Sequence, residues 1–274
     1  MAIATAFVHP SASIDPSAQI GDGVRVEDGV IVGPNCRVGD GTRLRTRCII
    51  TRDTLLGHNN DVHPFAVLGG DPQDTGYDES SDPGRLEIGD GNVFRESVTI
   101  SRGCGEAGAT KIGNSCMFMA NSHAGHNVRL GDDVILANNA LLAGHTRVES
   151  GCFISGSCNV HQFVDIGELV MMRGGSGATM HVPPFCIVRE LNVLGGVNVI
   201  GLRRSGRFSS SDIDDIKLAY RKVLRRNRRV CPTMADSVSW ALEREWSHAA
   251  RHMLEWIHER LGLEAPRARG VLSG

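Results

Sequence analysis

Aliphatic residues recur at every sixth position over most of this 274-residue chain. From Val8 to Leu68 each sixth residue is Val, Ile or Leu, in hexads that begin VHPSAS, IDPSAQ, IGDGVR and VEDGVI. The pattern pauses between Gly69 and Glu87, resumes at Ile88 in a changed phase, and fades after Met172. A fixed short period is typical of repeat proteins, in which each unit stacks only on its neighbours.

The hexad composition predicts the shape of one repeat. Its second position favours Gly or Asp and its fifth favours small residues, so six residues provide one short strand and a tight corner. Three hexads then close an 18-residue triangular coil, with the aliphatic residues pointing inward. Backbone hydrogen bonds join successive coils, which lie about 4.8 Å apart. The pattern therefore predicts a mainly β protein built as a parallel β-helix.

Two segments interrupt the predicted coils. The polar stretch from Gly70 to Gly84 has Pro and Gly at both ends, and the stretch from Gly103 to Gly108 is rich in Gly. We expect loop insertions near residues 69–87 and 103–110. Long loops on a regular scaffold often carry function.

The C-terminal quarter of the chain has helical spacing instead. Ser209 to Asp214 offers N-cap residues, and apolar residues then recur at helical spacing from Ile213 to Arg225. A longer apolar stripe runs from Met234 to Leu261, with Pro232 and Thr233 at its start. We expect a β-helix over residues 1–200 and a helical C-terminal domain over residues 201–274.

Composition and charge narrow the class of protein. Aromatic residues make up 5% of the chain and the formal charge is −2, which argues against a general nucleic-acid binder. No apolar run reaches the roughly 18 residues of a membrane span, and the N-terminus is too short for a signal peptide. We therefore expect a cytoplasmic protein without membrane insertion.

The eight cysteines form no CxxC pair, and most occupy small-residue repeat positions, which indicates buried thiols in a reducing compartment.

Histidines cluster in the most regular part of the repeat. His123, His126, His145 and His161 fall on successive corners, and His126 and His145 are separated by one coil plus one residue. We expect these two imidazoles to be neighbours, although corner histidines that merely face solvent remain an alternative.

A metal site is a further interpretation of these histidines. Zinc-binding hexapeptide-repeat carbonic anhydrases have two histidine ligands five residues apart. The spacing here is three, and no Cys or carboxylate completes a set in the sequence, so we expect no metal.

Several motifs outside the hexads identify a family. They are NSHAGHNV (121–128), LANNALLAGH (136–145), VHQF (160–163), VPPF (182–185), GVNVIGLRR (196–204), GGDPQD (69–74) and RLEIGDGNVFRESVTI (85–100). This ordered set resembles acyl-ACP:UDP-N-acetylglucosamine O-acyltransferases, which begin lipid A synthesis. The resemblance implies a left-handed β-helix, a homotrimer with the site between subunits, an acyl carrier protein as donor, UDP-N-acetylglucosamine as acceptor, and no cofactor.

The resemblance also implies roles for individual residues. His126 matches the general base and Gly144 matches the backbone N–H donor to the oxyanion. Gly174 matches the region that limits acyl-chain length. Substrate contacts are implied for a further group of residues, with the last two reaching the nucleotide from a neighbouring subunit: Gln73, Asp74, His123, His145, His161, Gln162, Asn198 and Arg204.

Some positions depart from the family pattern and leave alternatives open. Asn127 follows the catalytic histidine where the family usually has Asp, and Gly76, Ile200 and Ser205 replace charged residues. An acetyl-CoA-dependent transferase acting on another nucleotide sugar is one alternative, and a catalytically reduced β-helix homologue is another. Basic residues after the β-helix would suit an acidic carrier-protein partner, although a merely solvated helix face remains an alternative; they are Arg203, Arg204, Arg207, Arg221, Lys222, Arg225, Arg226, Arg228 and Arg229.

Overall fold

Three parallel sheets form the walls of a left-handed β-helix. The computed structural model describes residues 5–78, 80, 84–105, 108–225 and 233–273. The first wall consists of Phe7–Val8, Arg25–Val26, Arg43–Leu44, Asp61–Val62, Val93–Phe94, Met117–Phe118, Ile135–Leu136, Phe153–Ile154, Met171–Met172, Cys186–Arg189 and Val193–Val197. The second wall consists of Ser13–Ile14, Ile31–Val32, Ile49–Ile50, Val67–Gly70, Thr99–Ser101, His123–Ala124, Leu141–Leu142, Asn159–Val160 and Gly177–Ala178. The third wall consists of Gln19–Ile20, Arg37–Val38, Thr54–Leu56, Arg85–Ile88, Ala109–Ile112, Arg129–Leu130, Arg147–Val148 and Asp165–Ile166.

The register between strands confirms the 18-residue coil. Val26 pairs with Leu44 and Leu44 pairs with Val62, and all three side chains are fully buried. The inward residue of each strand therefore stacks on its equivalent in the next coil, which is what the sixfold period predicted. The sequence indicated an aliphatic interior. The structure also has an aromatic contact in this interior, where the ring centroids of Phe94 and Phe118 lie 5.0 Å apart.

The predicted buried thiols are confirmed. Five cysteines at repeat positions are buried and unpaired: Cys36, Cys48, Cys116, Cys152 and Cys158. Burial raises the pKa of Cys116 to about 11 and that of Cys48 to about 12, so these thiols stay protonated.

The two interruptions leave the same corner of the triangle. The chain passes from the second wall to the third through the segment after Gly70, and again through the segment after Ser101. Residues at equivalent positions in the coils before and after the first insertion are therefore 32 residues apart, and those before and after the second are 24 apart, instead of 18. Strand pairing continues across both insertions, because the extra residues leave the walls and return to them. Residues 79, 81–83, 106 and 107 of these segments lie outside the described residues.

The coils continue past Met172, where the period-six signal fades. Met172 pairs with Val188, and a final antiparallel hairpin joins Cys186–Arg189 to Val193–Val197. Small inward residues such as Ala178 take the place of larger aliphatics here, which weakens the sequence pattern without breaking the wall.

In the part of the chain that the structure describes, four α-helices follow the hairpin. They are α1 (Val199–Ser205), α2 (Ser210–Ala219), α3 (Met234–Leu242) and α4 (His248–Leu261), and a single π-helical turn, Tyr220–Leu224, extends α2. Ser209 caps α2 and Thr233 caps α3 with capping boxes, as their positions predicted. Pro232, expected beside Thr233, lies outside the described residues.

The helical pattern from Met234 to Leu261 is divided between two helices, α3 and α4. The indole N–H of Trp246 donates to the carbonyl of Ala241 at 2.7 Å, which satisfies a carbonyl at the end of α3. Ser247 then begins α4 by accepting from the N–H of Ala250, while its own N–H donates to Asp215. The apolar stripe runs across this break, so spacing alone did not reveal it.

The segment after α4 returns to the β-helix. The N–H of His181 donates to the carbonyl of Gly270 at 2.8 Å, and the N–H of Leu272 donates to the carbonyl of His181 at 2.9 Å. The side chains of Val271 and Leu272 are buried. This tail therefore packs against coils that also carry the histidine corners.

Candidate active site

His126 lies at the corner that also gives rise to both insertions. It follows the second-wall strand His123–Ala124 and precedes the third-wall strand Arg129–Leu130. The insertion that contains Cys104 leaves this corner one coil earlier, and the one that contains Asp74 leaves it two coils earlier. Because coils stack directly, the insertions bring their side chains over His126.

A hydrogen-bond network fixes the orientation of His126. The side-chain N–H of Asn127 donates to the carbonyl of Cys104 at 2.9 Å, and the Cys104 N–H donates to Asn127 Oδ1 at 3.1 Å. These two bonds establish which terminal atom of the Asn127 side-chain amide is the oxygen and which is the nitrogen. Asn127 Oδ1 also lies 2.9 Å from Nδ1 of His126, so Nδ1 must carry the proton. The lone pair of the neutral imidazole is then on Nε2.

Asn127 fits this role because of its backbone as well as its amide. Its φ is +59°, a left-handed conformation that Asn adopts more readily than most residues. Its own N–H donates to the hydroxyl of Thr110 at 2.8 Å. Both His126 and Asn127 are buried, with 8% and 5% of their surface exposed, so the network is protected from competing water.

The next coil supplies a second imidazole. The N–H of His145 donates to the carbonyl of His126 at 2.9 Å, and the two ring centroids lie 5.0 Å apart, edge to face. The other side of the His145 ring stacks on Phe163 at 4.6 Å. Burial, and to a smaller extent the charge of His126, lowers the pKa of His145, which favours its neutral form. The expectation that His126 and His145 are neighbours is confirmed.

Gly144 approaches His126 more closely than any other residue type could. A Cβ built on Gly144 would lie 2.5 Å from His126 Nε2 and 2.8 Å from the adjacent ring carbon. The Gly144 carbonyl accepts from the N–H of Phe163 at 3.2 Å, which holds this stretch of backbone in the wall. The absence of a side chain therefore leaves room for a reacting group beside Nε2.

These residues border a cavity of about 640 Å³, which is within the range of small-molecule sites. Its lining combines polar side chains with aliphatic residues and glycines. The lining residues are Gln73, His123, Gly125, His126, Leu141, Leu142, Ala143, Gly144, Asn159, Val160, His161, Gln162, Gly175, Ser176, Gly177, Ala178, Thr179 and Leu191.

Comparison with known proteins agrees with this arrangement. The profile described as Udp N-acetylglucosamine O-acyltransferase, domain 2, matches residues 181–270, and the bacterial transferase hexapeptide profile matches residues 109–144. An acyl-(acyl-carrier-protein)–UDP-N-acetylglucosamine O-acyltransferase of Agrobacterium fabrum is 38% identical over 80% of this chain and 81% of its own length. One of the same name from Anaeromyxobacter sp. is 42% identical over 67% of this chain and 71% of its own length. The chain belongs to the UDP-N-acetylglucosamine O-acyltransferase family.

Solved structures of the family have the same fold as this chain. The UDP-N-acetylglucosamine acyltransferase from Campylobacter jejuni superposes with a TM-score of 0.87 at 30% identity, covering 97% of this chain and 99% of its own. The O-acyltransferase from Moraxella catarrhalis gives 0.85 at 34% identity, with the same coverage. The likeness therefore extends over the β-helix and the C-terminal helices together.

Most of the residues that were expected to contact the acceptor substrate border the cavity. Gln73, His123, His161 and Gln162 line it directly. Asp74 is not part of the lining, but its Oδ2 lies 3.9 Å from His126 Nε2. His123 is held by Thr99, whose hydroxyl lies 2.8 Å from Nδ1, and burial lowers the His123 pKa.

The other expected residues lie apart from the cavity within this one chain. Asn198 caps α1 and donates to the carbonyl of Leu169 at 2.8 Å, and Arg204 is exposed on the last turn of α1. Gly174 is adjacent to the lining residue Gly175 without lining the cavity itself.

Sequence reasoning missed two residues at this site. Cys104 Sγ lies 3.3 Å from His126 Nδ1 and 3.2 Å from Asn127 Oδ1. Arg267, in the tail after α4, donates to the carbonyl of His145 at 2.7 Å and to Asp165 at 2.6 Å. Cys104 lies on an insertion, outside the strands of the walls, and Arg267 is separated from His145 by 122 residues. Among the described residues, no helix has both the length and the apolar character needed to cross a membrane.

Proposed function

We propose that this chain transfers an acyl group from acyl carrier protein to the 3-hydroxyl of UDP-N-acetylglucosamine. The observation that carries the proposal is the position of His126 Nε2. Its lone pair faces a cavity of suitable size, beside the backbone of Gly144, while Asn127 holds the opposite ring nitrogen. A fixed neutral imidazole in a cavity is the arrangement that a general base needs.

The proposed reaction needs only groups of the chain and its substrates. The 3-hydroxyl oxygen attacks the thioester carbon while His126 Nε2 takes the hydroxyl proton. The carbonyl π electrons move to oxygen, and the N–H of Gly144 stabilises the oxyanion. When the intermediate collapses, the C–S bond breaks and the imidazolium returns the proton to the carrier's sulfur. The thioester is already activated, so the site supplies a base, an oxyanion donor and alignment.

The polar side chains of the cavity lining support binding of the sugar nucleotide. His123, His161, Gln162 and Gln73 present hydrogen-bonding groups around the position that Nε2 faces. In this proposal Asp74 and His145 also contact the acceptor, from the insertion and from the following coil. Asn198 and Arg204 reach the nucleotide of an adjacent subunit, because in their own chain they lie away from this cavity. The proposal therefore includes a homotrimer.

The aliphatic residues and glycines of the cavity lining support binding of the acyl chain. Gly175, Gly177 and Ala178 leave a shallow groove, and Leu191, which is 64% exposed, closes one side of it. A Cβ on Gly177 would lie 3.0 Å from the Leu191 side chain, so this wall has little spare room. In this proposal Gly174 marks the depth that the end of the acyl chain reaches.

Positive charge near α1 and α2 supports an acidic carrier protein as donor. Arg203 and Arg204 lie in the last turn of α1, and Arg221 and Lys222 lie on exposed positions of the π-helical turn. Arg225 follows directly. Charges of one sign on this surface would speed encounter with an acidic partner. Arg226, Arg228 and Arg229, which belong to the same predicted group, lie outside the described residues.

Transfer assays with the full chain test the proposal. UDP-N-acetylglucosamine is offered with a series of acyl-carrier-protein thioesters and, separately, with acetyl-CoA, and the products are identified by mass spectrometry. We expect an O-acylated nucleotide sugar with carrier-protein donors only. Product from acetyl-CoA alone would favour the acetyltransferase alternative, and no product from any donor would favour a catalytically reduced homologue.

The role of His126 has its own variant and control. We expect His126→Ala to lower the transfer rate by about a hundredfold or more, because the hydroxyl loses its proton acceptor. His258→Ala, on an exposed position of α4, is the matched control and keeps the rate. Transfer by His126→Ala at the wild-type rate would contradict the proposed role.

A further inference from the structure

A buried arginine lies beside the start of the first insertion, which follows Gly70. Arg102 comes directly after the second-wall strand Thr99–Ser101, and only 2% of its side chain is exposed. Its Nη1 donates to the carbonyl of Gly69 at 2.9 Å. Its Nη2 lies 2.5 Å from Asp71 Oδ1 and 3.0 Å from the hydroxyl of Tyr77. One side chain therefore joins two points of the insertion to the strand that precedes it.

We propose that Arg102 is a positioning residue for binding of the acceptor. Through Asp71 and Tyr77 it fixes the first insertion, and the insertion in turn presents Gln73 and Asp74 to UDP-N-acetylglucosamine. Arg102 is not among the described residues that line the cavity, so it acts through the residues it holds. The role in acceptor binding rests on the proposed function, whereas the anchoring of the insertion is independent of it.

Burial makes the partners of Arg102 necessary. A guanidinium stays charged at physiological pH, so its removal from water is costly unless a counter-charge and hydrogen-bond acceptors replace the water. Asp71 supplies the counter-charge, and its own side chain is 60% exposed. The Gly69 carbonyl and the Tyr77 hydroxyl accept further N–H groups. Loss of either insertion contact would leave the buried cation with fewer partners, which strongly favours the attached arrangement.

The backbone around Arg102 belongs to the packed scaffold. The N–H of Arg102 donates to the carbonyl of Gly70 at 2.8 Å, and that of Gly103 donates to the carbonyl of Arg85 at 3.0 Å. A Cβ built on Gly103 would lie 2.5 Å from the backbone nitrogen of Ala109, so the chain has no room for a side chain there. The guanidinium therefore extends from a fixed point.

The residues proposed to contact the acceptor lie between the two attachment points of the insertion. Asp74 forms a local turn, in which its Oδ1 accepts from the N–H of Gly76 at 2.9 Å and its carbonyl accepts from that of Tyr77 at 3.1 Å. Gln73 borders the cavity, and Asp74 Oδ2 lies 3.9 Å from His126 Nε2. Without the attachments, this turn would have to be ordered when the acceptor binds, and the entropy cost would weaken binding.

Steady-state transfer with UDP-N-acetylglucosamine and an acyl carrier protein thioester separates positioning from catalysis. We expect Asp71→Asn to raise KM for the sugar nucleotide about tenfold and Tyr77→Phe about threefold, with kcat within about twofold of the wild type, because ground-state and transition-state binding weaken alike. KM for the carrier protein should stay unchanged. The matched control is Asp61→Asn, which breaks a 2.6 Å pair with Arg45 on the first wall and should keep both constants.

A double-mutant cycle tests Arg102 itself. If Arg102 and Asp71 act as one unit, Arg102→Gln combined with Asp71→Asn should raise KM by no more than about the larger of the two single changes. An increase equal to the product of the single changes would overturn the proposed coupling. Melting temperatures show which variants fold. If Arg102→Gln does not fold, Asp71→Asn and Tyr77→Phe still test the proposal, because both residues lie on the insertion outside the walls.

Hydrogen exchange measures the anchoring without any substrate. We expect peptides that contain the amides of Gly76 and Tyr77 to exchange at least about tenfold faster in Asp71→Asn than in wild type or Asp61→Asn. Unchanged exchange would overturn the anchoring, and an unchanged KM for UDP-N-acetylglucosamine would overturn the role in acceptor binding. A chain that transfers with no donor but shows the faster exchange would refute the proposed function and leave the anchoring standing.

Discussion

The side-chain oxygen of Asn127 lies 2.9 Å from Nδ1 of His126, and the backbone of Cys104 decides which way that amide faces. The resemblance described above implies a carboxylate at this position in other members of the family. Asn127 gives the imidazole the same orientation, but it has no charge with which to stabilise an imidazolium. The difference affects the protonated form of His126 more than its position.

Replacing Asn127 with Asp should change the pH dependence of transfer more than its maximal rate. The carboxylate would stabilise the imidazolium, so the inactive protonated form would persist to higher pH and the acid limb of kcat/KM would move upward. Asp also loses the N–H that bonds to the Cys104 carbonyl. Steady-state profiles of wild type, Asn127→Asp and Asn127→Ala measure the effect, and superimposable acid limbs for wild type and Asn127→Asp would exclude Asn127 from the mechanism.

Gly144→Ala should lower kcat by about a hundredfold or more, because the new methyl group would occupy the space beside His126 Nε2 and disturb the oxyanion donor. The matched control is Gly262→Ala after α4, where a Cβ meets nothing closer than 3.6 Å. Thermal melting of both variants separates a local effect from unfolding. A Gly144→Ala variant with the wild-type kcat would show that this space is not used in the reaction.

Arg267 ties the C-terminal tail to the β-helix, and Arg267→Ala should destabilise the fold. Asp165, with only 3% of its side chain exposed, would keep Arg260 at 3.4 Å but lose the 2.6 Å bond to Arg267. We expect the free energy of unfolding to fall by about 2 kcal/mol, measured by urea denaturation. The control is Lys217→Ala, which breaks an exposed pair with Asp214 and should cost about 0.5 kcal/mol or less. Equal losses for the two variants would contradict this account.

His181 should make the fold less stable in mild acid. Its Nδ1 accepts from the N–H of Asp165 at 2.9 Å, and its Nε2 lies 2.7 Å from the carbonyl of Arg267, so the bound form is the neutral tautomer with the proton on Nε2. Burial lowers the pKa of His181 from 6.5, although the carboxylate of Asp165 opposes the shift; Arg260 and Arg267 add to it. Between the folded-state pKa of this histidine and 6.5, the unfolded chain therefore binds a proton that the folded chain does not.

The free energy of unfolding should accordingly fall as the pH drops below 6.5, by at most about 1.4 kcal/mol per pH unit from this group. In His181→Gln the amide can accept from Asp165 and donate to Arg267 without titrating. Melting temperatures at several pH values between 4 and 8, roughly the range over which a His with a lowered pKa titrates, measure the difference between the two proteins. Parallel curves for wild type and His181→Gln would show that other groups account for the acid sensitivity.

The sequence was sufficient for the parts of the molecule that repeat. The six-residue period yielded the coil, its inward residues and the proximity of His126 to His145, because each position maps onto its equivalent in the next coil. Asp74 and Cys104 lie on insertions, where that mapping stops. Their approach to His126 follows from the shared corner, which becomes evident only when the strand order is known.

The C-terminal region was less predictable for a different reason. The apolar stripe continues through Trp246, although α3 ends at Leu242 and α4 begins at His248. A hydrogen bond from the Trp246 indole determines the break, and no propensity scale contains such a contact. Likewise, the tail that carries Arg267 has no periodic pattern to connect it with His145.

The corner shared by both insertions has a consequence for how such a protein can change over evolution. Strand pairing holds on either side of each insertion, so residues can be added or removed there without any shift in the coils above or below. New loop sequences at this corner would alter what surrounds His126 while the imidazole keeps its place. The scaffold can thus be inherited unchanged while the choice of acceptor diverges between lineages.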